Sequence, residues 1–437
     1  MIRGSLLRQI LSLSLPAIVT NITTPLLAMA DLAIAGHVGG ATIIAAVALG
    51  GTIFNLIYWL CGFLRMGSSG LTAQAKGQGD TNECRLIFFQ AMMMAFGLGV
   101  IFIIFQKPIY DIILWIMSPD EATTMLVQIY FGICIYGSPA VLGTYALTGW
   151  LLGMQNTRIA MIVSIVTNVF NIVLSATLVF AFGQGVRGIA TGTLCAQWIG
   201  FLLLLIAACL KFGVRPLSIR TIVVASKIKQ FFKINGYIFF RTLCLVAVTM
   251  WFTRTGARQG DMMLAVNSLL LQLFTGFSFF MDGFAFAGEA MCGYFEGAHE
   301  KAKLRSTIKT LLIIGCVMAG VFSVIYFAVG DKLLFILSND ANIVAHAVKY
   351  MCWAATIPIA GFMAFVFDGV AIGTSHVRPM LQSMIVAAIM FFAINLSLAP
   401  SLGNHALWIA FSVYLFTRGV VLGIRLRSFY FPGYSER

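Results

Sequence analysis

The sequence predicts an all-α polytopic membrane protein, with twelve transmembrane helices in two pseudo-symmetric six-helix bundles. Three observations carry that expectation. The 437 residues are 60% hydrophobic and only 10% charged, with a mean hydropathy of +0.95, whereas a soluble domain carries roughly 25% charged residues. Apolar runs of about twenty residues, the length that crosses a bilayer as a helix, recur about twelve times along the chain. The pattern also repeats itself at one constant spacing of 220 residues. The runs should be helices, because an open sheet edge cannot be satisfied in lipid, and they lack the alternation of a barrel strand.

The first run, 10–35, follows Arg3 and Arg8 and loosely resembles a signal peptide. It is too long for an h-region and has a counterpart later in the chain, so it is read as a retained first helix. It is interrupted by Pro16 and Pro25 and carries a single carboxylate, Asp31. A carboxylate at membrane depth costs on the order of 3 kcal/mol and normally faces a protein interior or a wet cavity, which makes it a functional candidate. Proline removes a backbone donor and strains the preceding turn, so this helix can bend or straighten. A titratable group on a bendable helix has the parts of an ion-driven switch.

Spans 41–66, 86–106 and 124–148 follow. The fifth, 159–182, carries Ser164, Asn168, Asn171 and Ser175 at spacings of 4, 3 and 4, which place all four on one helix face. These groups could bond Asp31, line a wet cavity, or only tie helices together. The sixth span, 188–211, closes an N-lobe of residues 1–212, and a basic linker, 213–230, leads to a C-lobe of 231–437. The C-lobe spans are 231–255, 262–287, 306–328, 344–370, 379–400 and 405–427. They hold a polar cluster of Arg241, Asp282, Glu289 and Asp368. Asp282 and Glu289 share a face, and Glu289 is expected near the cytoplasmic end, in reach of water. Three readings stay open: Arg241 neutralises an acid and forms a structural lock, the acids form a second cation or proton site, or they touch substrate.

In the repeat, GFLRMGSSG at 62–70 meets DGFAFAGEA at 282–290. Gly77 meets Gly297, Asp80 meets Glu300, Ser118 and Asp120 meet Ser338 and Asp340, Tyr130 meets Tyr350, and Arg158 meets Arg378. Six spans per lobe start both repeats on the same side, related by an axis along the membrane normal, with substrate and ion sites expected near the midplane. The lobes differ in chemistry: Asp31 answers to Trp251, Arg241 to Asn21, and Asp282, Glu289 and Asp368 to Gly62, Ser69 and Thr148.

The net charge of +13 is a topology signal. With the N-terminus placed in the cytoplasm, nineteen Lys and Arg fall on inside segments, against five outside: Lys107, Arg187, Arg254, Arg258 and Lys332. The positive-inside rule then puts both termini in the cytoplasm. The excess charge faces anionic lipid, which removes the nucleic-acid reading. Nine scattered cysteines have no metal-ligand spacing, and no GxSxG, HExxH or Walker A run occurs. No catalytic residues, metal site or cofactor are expected, so transport would be driven by an ion gradient.

The motifs GLTAQAKGQGD, NVFNIVL, MDGFAFAGEA, FDGVAIGTS and LGNHALW, with Asp31 on a proline-bearing first helix, resemble the multidrug and toxic compound extrusion (MATE) family, most of all its DinF-type branch. The resemblance covers essentially the whole chain. It implies a V-shaped pair of bundles that exports drug-like, often cationic or aromatic, compounds against inward proton or sodium flow. It implies that Asp31 is the cation-responsive group, that bending at Pro16 accompanies its protonation, and that Asn171 and Thr193 are the family's fifth-helix asparagine and sixth-helix threonine. Many relatives carry an aspartate four residues after Asn171; here Ser175 removes that ligand and charge, which favours protons over sodium. Other branches carry a seventh-helix glutamate in a C-lobe cation site; here the seventh span has Arg241 and no acid.

The expected protein is therefore a proton-coupled exporter in the inner (plasma) membrane. Its partners are a small-molecule substrate and membrane lipid, with no nucleic acid, and it is expected to act as a monomer. The alternative is a lipid or lipid-linked oligosaccharide flippase, which would need cationic side chains for a phosphate; Arg241 and Arg418 are the candidates.

Overall fold

A computed structural model describes residues 4–38, 40–117, 120–218, 222 and 225–430. Arg3, Ser118, Arg220, Arg437, the Lys227 side chain and part of the 213–230 linker lie outside the described residues. Among the described residues, twelve helices are long and apolar enough to cross a membrane. They are α1 (Gly4–His37), α2 (Gly40–Gly77), α3 (Thr81–Ile104), α4 (Glu121–Gly153), α5 (Thr157–Ala181) and α6 (Gly185–Phe212), then α7 (Ile228–Arg258), α8 (Asp261–Gly297), α9 (Lys301–Leu337), α10 (Met351–Gly373), α11 (Val377–Leu402) and α12 (Asn404–Tyr430). No strand occurs among the described residues.

Local chemistry explains where these helices start and stop. Asp80 accepts hydrogen bonds from the amides of Asn82 and Glu83 at the start of α3. Asp120 caps α4 through Thr123, and these hydrogen bonds hold its carboxyl below the ordinary aspartate value. Asp340, the repeat partner of Asp120, caps a short helix, Ala341–Val348. That cap changes the expected tenth span: the chain turns at Lys349 and Tyr350, and the span begins at Met351 rather than 344.

Two other differences have physical causes. The 37 residues of α9 would reach about 55 Å as one straight helix, well beyond a hydrocarbon core of about 30 Å. The helix is broken at Val329 (φ −133°, ψ 16°). The segment beyond it is the 220-residue counterpart of a separate amphipathic helix, Gln106–Met117. In contrast, α1 is not interrupted by its prolines; helix continues through Pro16 and Pro25. Threonine hydroxyls crowd this stretch: Thr20 donates to the Pro16 carbonyl, and Thr23 and Thr24 both donate to the Thr20 carbonyl. Such back-bonding places a second donor on these carbonyls and tends to bend helices.

The chain divides into two compact units. One is Pro16–Asn235; the other is Gly236–Arg437 together with the segment up to Leu15. The division thus falls within α1 at Pro16 and after Asn235, in place of the expected boundaries at 212 and 231. In the first unit, Phe88, Trp150 and Phe201 anchor an aromatic core; in the second, Phe252, Trp408 and Phe411 do so. Each unit also has very close helix crossings built on GxxxG, the tightest against backbone carbonyls. A Cβ on Gly149 or Gly153 would lie 2.1 Å from the Arg65 carbonyl or 2.6 Å from that of Ser69. A Cβ on Gly369 or Gly373 would lie 2.3 Å from the Ala285 carbonyl or 2.5 Å from that of Glu289. Backbones approach this closely only where side chains are absent.

Candidate functional site

In the Pro16–Asn235 unit, four helices bring one polar cluster together. Asp31 on α1 is 7% exposed and is the only buried acid among this unit's described residues. Among the described residues, its Oδ1 has no hydrogen-bond partner and Asp31 makes no ion pair. Tyr130 and Cys134 on α4 lie within electrostatic range of it. The Tyr130 phenol also reaches Thr193 on α6. Asn171 on α5 donates its amide N–H to Thr193 Oγ1 (3.3 Å), and Ser175 Oγ lies 3.5 Å from Asn171 Oδ1. Glycines make the room: a Cβ on Gly50 of α2 would lie 2.4 Å from the Tyr130 ring, and one on Gly192 would lie 2.2 Å from Ser175 Oγ.

The α5 stripe runs from half-buried Ser164 and Asn168 to buried Asn171 and Ser175. Its other face is apolar and open, with Ile162, Val166, Val169 and Val173 exposed. Asn168 does not join the cluster's side chains. It donates to the backbone carbonyl of Thr23 (3.3 Å), between the two prolines of α1. Pro16 itself is buried. Tyr130 was missed as a neighbour of Asp31; its only sequence signal was its place in the repeat.

The Gly236–Arg437 unit is arranged differently. Asp368 on α10 accepts hydrogen bonds through Oδ2 from both Arg241 on α7 and Arg418 on α12. All three are nearly inaccessible, at 7%, 5% and 4% exposure for Arg241, Asp368 and Arg418. Arg418 also stacks over the Phe365 ring, 5.9 Å from its centre, and Asp282 on α8 lies within its electrostatic range. Two arginines against two nearby carboxylates balance in charge. Glu289 is not solvated: it is 1% exposed, because Gly373 lets α10 pack directly on its backbone. No group of three or more His, Cys, Asp or Glu placed to hold a metal occurs among the described residues.

Comparison with known proteins gives consistent findings. The family model described as MatE matches residues 16–177 and 238–400. The chain is 34% identical over 413 residues to the DNA damage-inducible protein F of Escherichia coli (strain K12), covering 94% of this chain and 90% of that protein. It is 21% identical to the multidrug export protein MepA of Staphylococcus saprophyticus, over 89% of this chain and 87% of that one. Among solved structures, a MATE crystal structure in the bent conformation superposes with a TM-score of 0.90 at 18% identity, covering 98% of this chain and 96% of that chain.

Proposed function

Because the chain belongs to the MatE family of transporters, we propose that it is a secondary-active antiporter that exports drug-like cationic or aromatic compounds in exchange for protons taken up by Asp31. The observation that carries the reading is Asp31 itself, buried and bonded to no basic side chain. A buried carboxylate in that setting is costly as a bare ion. Its charge is neutralised only when a proton or cation arrives, so its occupancy reports on the compartment that supplies it. The acid at position 368 cannot respond in this way, because two arginines already neutralise it.

In the proposed cycle, the empty carboxylate and the Asn171, Ser175 and Thr193 groups favour a cationic substrate. A proton from outside then discharges Asp31, α1 changes its bend near Pro16 and Pro25, and the substrate is released. Ser175 offers no second charge for sodium, which supports protons as the coupling ion. The membrane potential supplies about 2.3 kcal/mol per charge per 100 mV, so one or two protons suffice to concentrate a cation. Export is favoured over lipid flipping because Arg241 and Arg418, the cations a lipid phosphate would need, are both engaged by Asp368. The protein acts as a monomer in the inner membrane with both termini in the cytoplasm. Drug efflux from cells carrying Asp31→Asn should fall to the level of cells without the transporter. Efflux equal to wild type would remove Asp31 from the mechanism.

A further inference from the structure

The Pro16–Asn235 unit holds a cavity of ≈ 450 Å³, none of whose lining residues belongs to the Asp31 cluster. It forms where α2 and α6 end and α3 begins, at the membrane edge expected to face the cytoplasm. Its rim is basic: Lys76, Arg85 and Arg215 line it, against one acid, Asp80. That acid caps α3, its Oδ1 accepting from the amides of Asn82 (3.0 Å) and Glu83 (2.9 Å), and three cations against this one carboxylate leave the rim net positive. Half-buried Lys76 donates to the Met154 carbonyl (2.7 Å), which uses one of its three N–H groups. Arg215 is exposed on the same rim.

The floor is apolar. Trp150 is 1% exposed, and its indole N–H is taken by the Cys84 carbonyl (2.8 Å). Phe212 meets it edge-on, with ring centres 5.3 Å apart. Neither ring offers a polar group to a ligand, so the cavity pairs a cationic rim with an oily base at the membrane edge. A soluble anion would use only the rim; an amphiphile uses both. The repeat shows that this chemistry is not required by the fold: Lys76 and Trp150 answer to Glu296 and Val370 in the other lobe.

We propose that this cavity binds the phosphate-bearing headgroup of an anionic phospholipid. Lys76, Arg85 and Arg215 hold the phosphate oxygens, and Trp150 and Phe212 support the glycerol and the first acyl carbons. Basic pockets at the ends of membrane helices recognise headgroups in this way. The site is separate from the Asp31 reading, and its failure would leave that reading standing.

The test is native mass spectrometry of the full chain in detergent, titrated with phosphatidylglycerol or phosphatidylethanolamine. Wild type should retain phosphatidylglycerol in preference. Arg215→Gln and Arg85→Gln should each weaken it about five-fold, the worth of one basic side chain near an anionic headgroup. Arg187→Gln, which changes an exposed cation outside the cavity, should not. Lys76→Gln is a third variant; exposed Arg215 keeps the test decisive if the loss of the Met154 bond impairs folding. The proposal is overturned if the Arg85 and Arg215 variants bind phosphatidylglycerol as wild type does. Equal retention of the two lipids would also overturn it, as would displacement of phosphatidylglycerol by millimolar inorganic phosphate, which would make the occupant a soluble anion.

Discussion

Two buried aspartates in this molecule meet opposite neighbours. Asp31 has polar, uncharged groups around it, whereas Asp368 lies between two guanidinium groups. Substitution should separate their roles. Asp368→Asn leaves two arginines buried without a full counter-charge, and breaking a buried pair in this way costs about 3–5 kcal/mol. Thermal unfolding in detergent should therefore move to lower temperature. Replacing all four charges with neutral residues (Arg241→Met, Asp282→Asn, Asp368→Leu, Arg418→Met) should recover most of the loss. Asp31→Asn should behave the other way, with thermal stability equal to or above wild type and transport lost. Tyr130→Phe removes the hydroxyl that reaches Thr193; it should keep the fold and slow proton-driven efflux.

At the scale of helices, the paired GxxxG crossings make the most direct claim. Gly149→Ala and Gly369→Ala would place a methyl 2.1 Å and 2.3 Å from a backbone carbonyl oxygen that no side-chain rotation can relieve. Each should destabilise its unit by about 1–3 kcal/mol, as overpacking does. Gly97→Ala on α3 meets nothing within 4 Å and serves as the control, with stability unchanged or improved. A second claim concerns the LGNHALW stretch. Asn404 exchanges amide hydrogen bonds with Asn267 at 2.8 and 2.9 Å, and the Trp408 indole donates to the same Asn267 oxygen at 2.9 Å. Asn267→Leu would strand these buried donors, at a cost of about 1–3 kcal/mol, read as a lower unfolding temperature. The motif thus joins α8 to α12 within its unit.

Over the whole chain, what was legible in the sequence divides by range. The twelve spans could be read because length and apolarity are local properties, and each expected span overlaps an observed helix. The repeat was also legible, and the structure gives it meaning: Asp120 and Asp340 are both helix caps. What could not be read were contacts between distant segments. Arg241 and Arg418 stand 127 and 50 residues from Asp368, and no periodicity says which acid an arginine will choose. The placement of Tyr130 beside Asp31 depends on Gly50, a helix away. Pro16 and Pro25 were legible as residues, yet their effect was not, because helix runs through both. Orientation rests on the distribution of Lys and Arg. Cysteine labelling of an N-terminal tag from the outside should fail in intact cells and succeed after permeabilisation.

The central claim is that Asp31 couples export to protons, and purified protein in liposomes tests it most directly. A fluorescent organic cation should move in response to an imposed pH gradient, and a sodium gradient alone should not drive it. Asp31→Asn protein, reconstituted at equal density, should lose the pH response entirely. Transport by the Asp31→Asn protein at the wild-type rate on a pH gradient, or wild-type transport driven by sodium alone, would contradict the account.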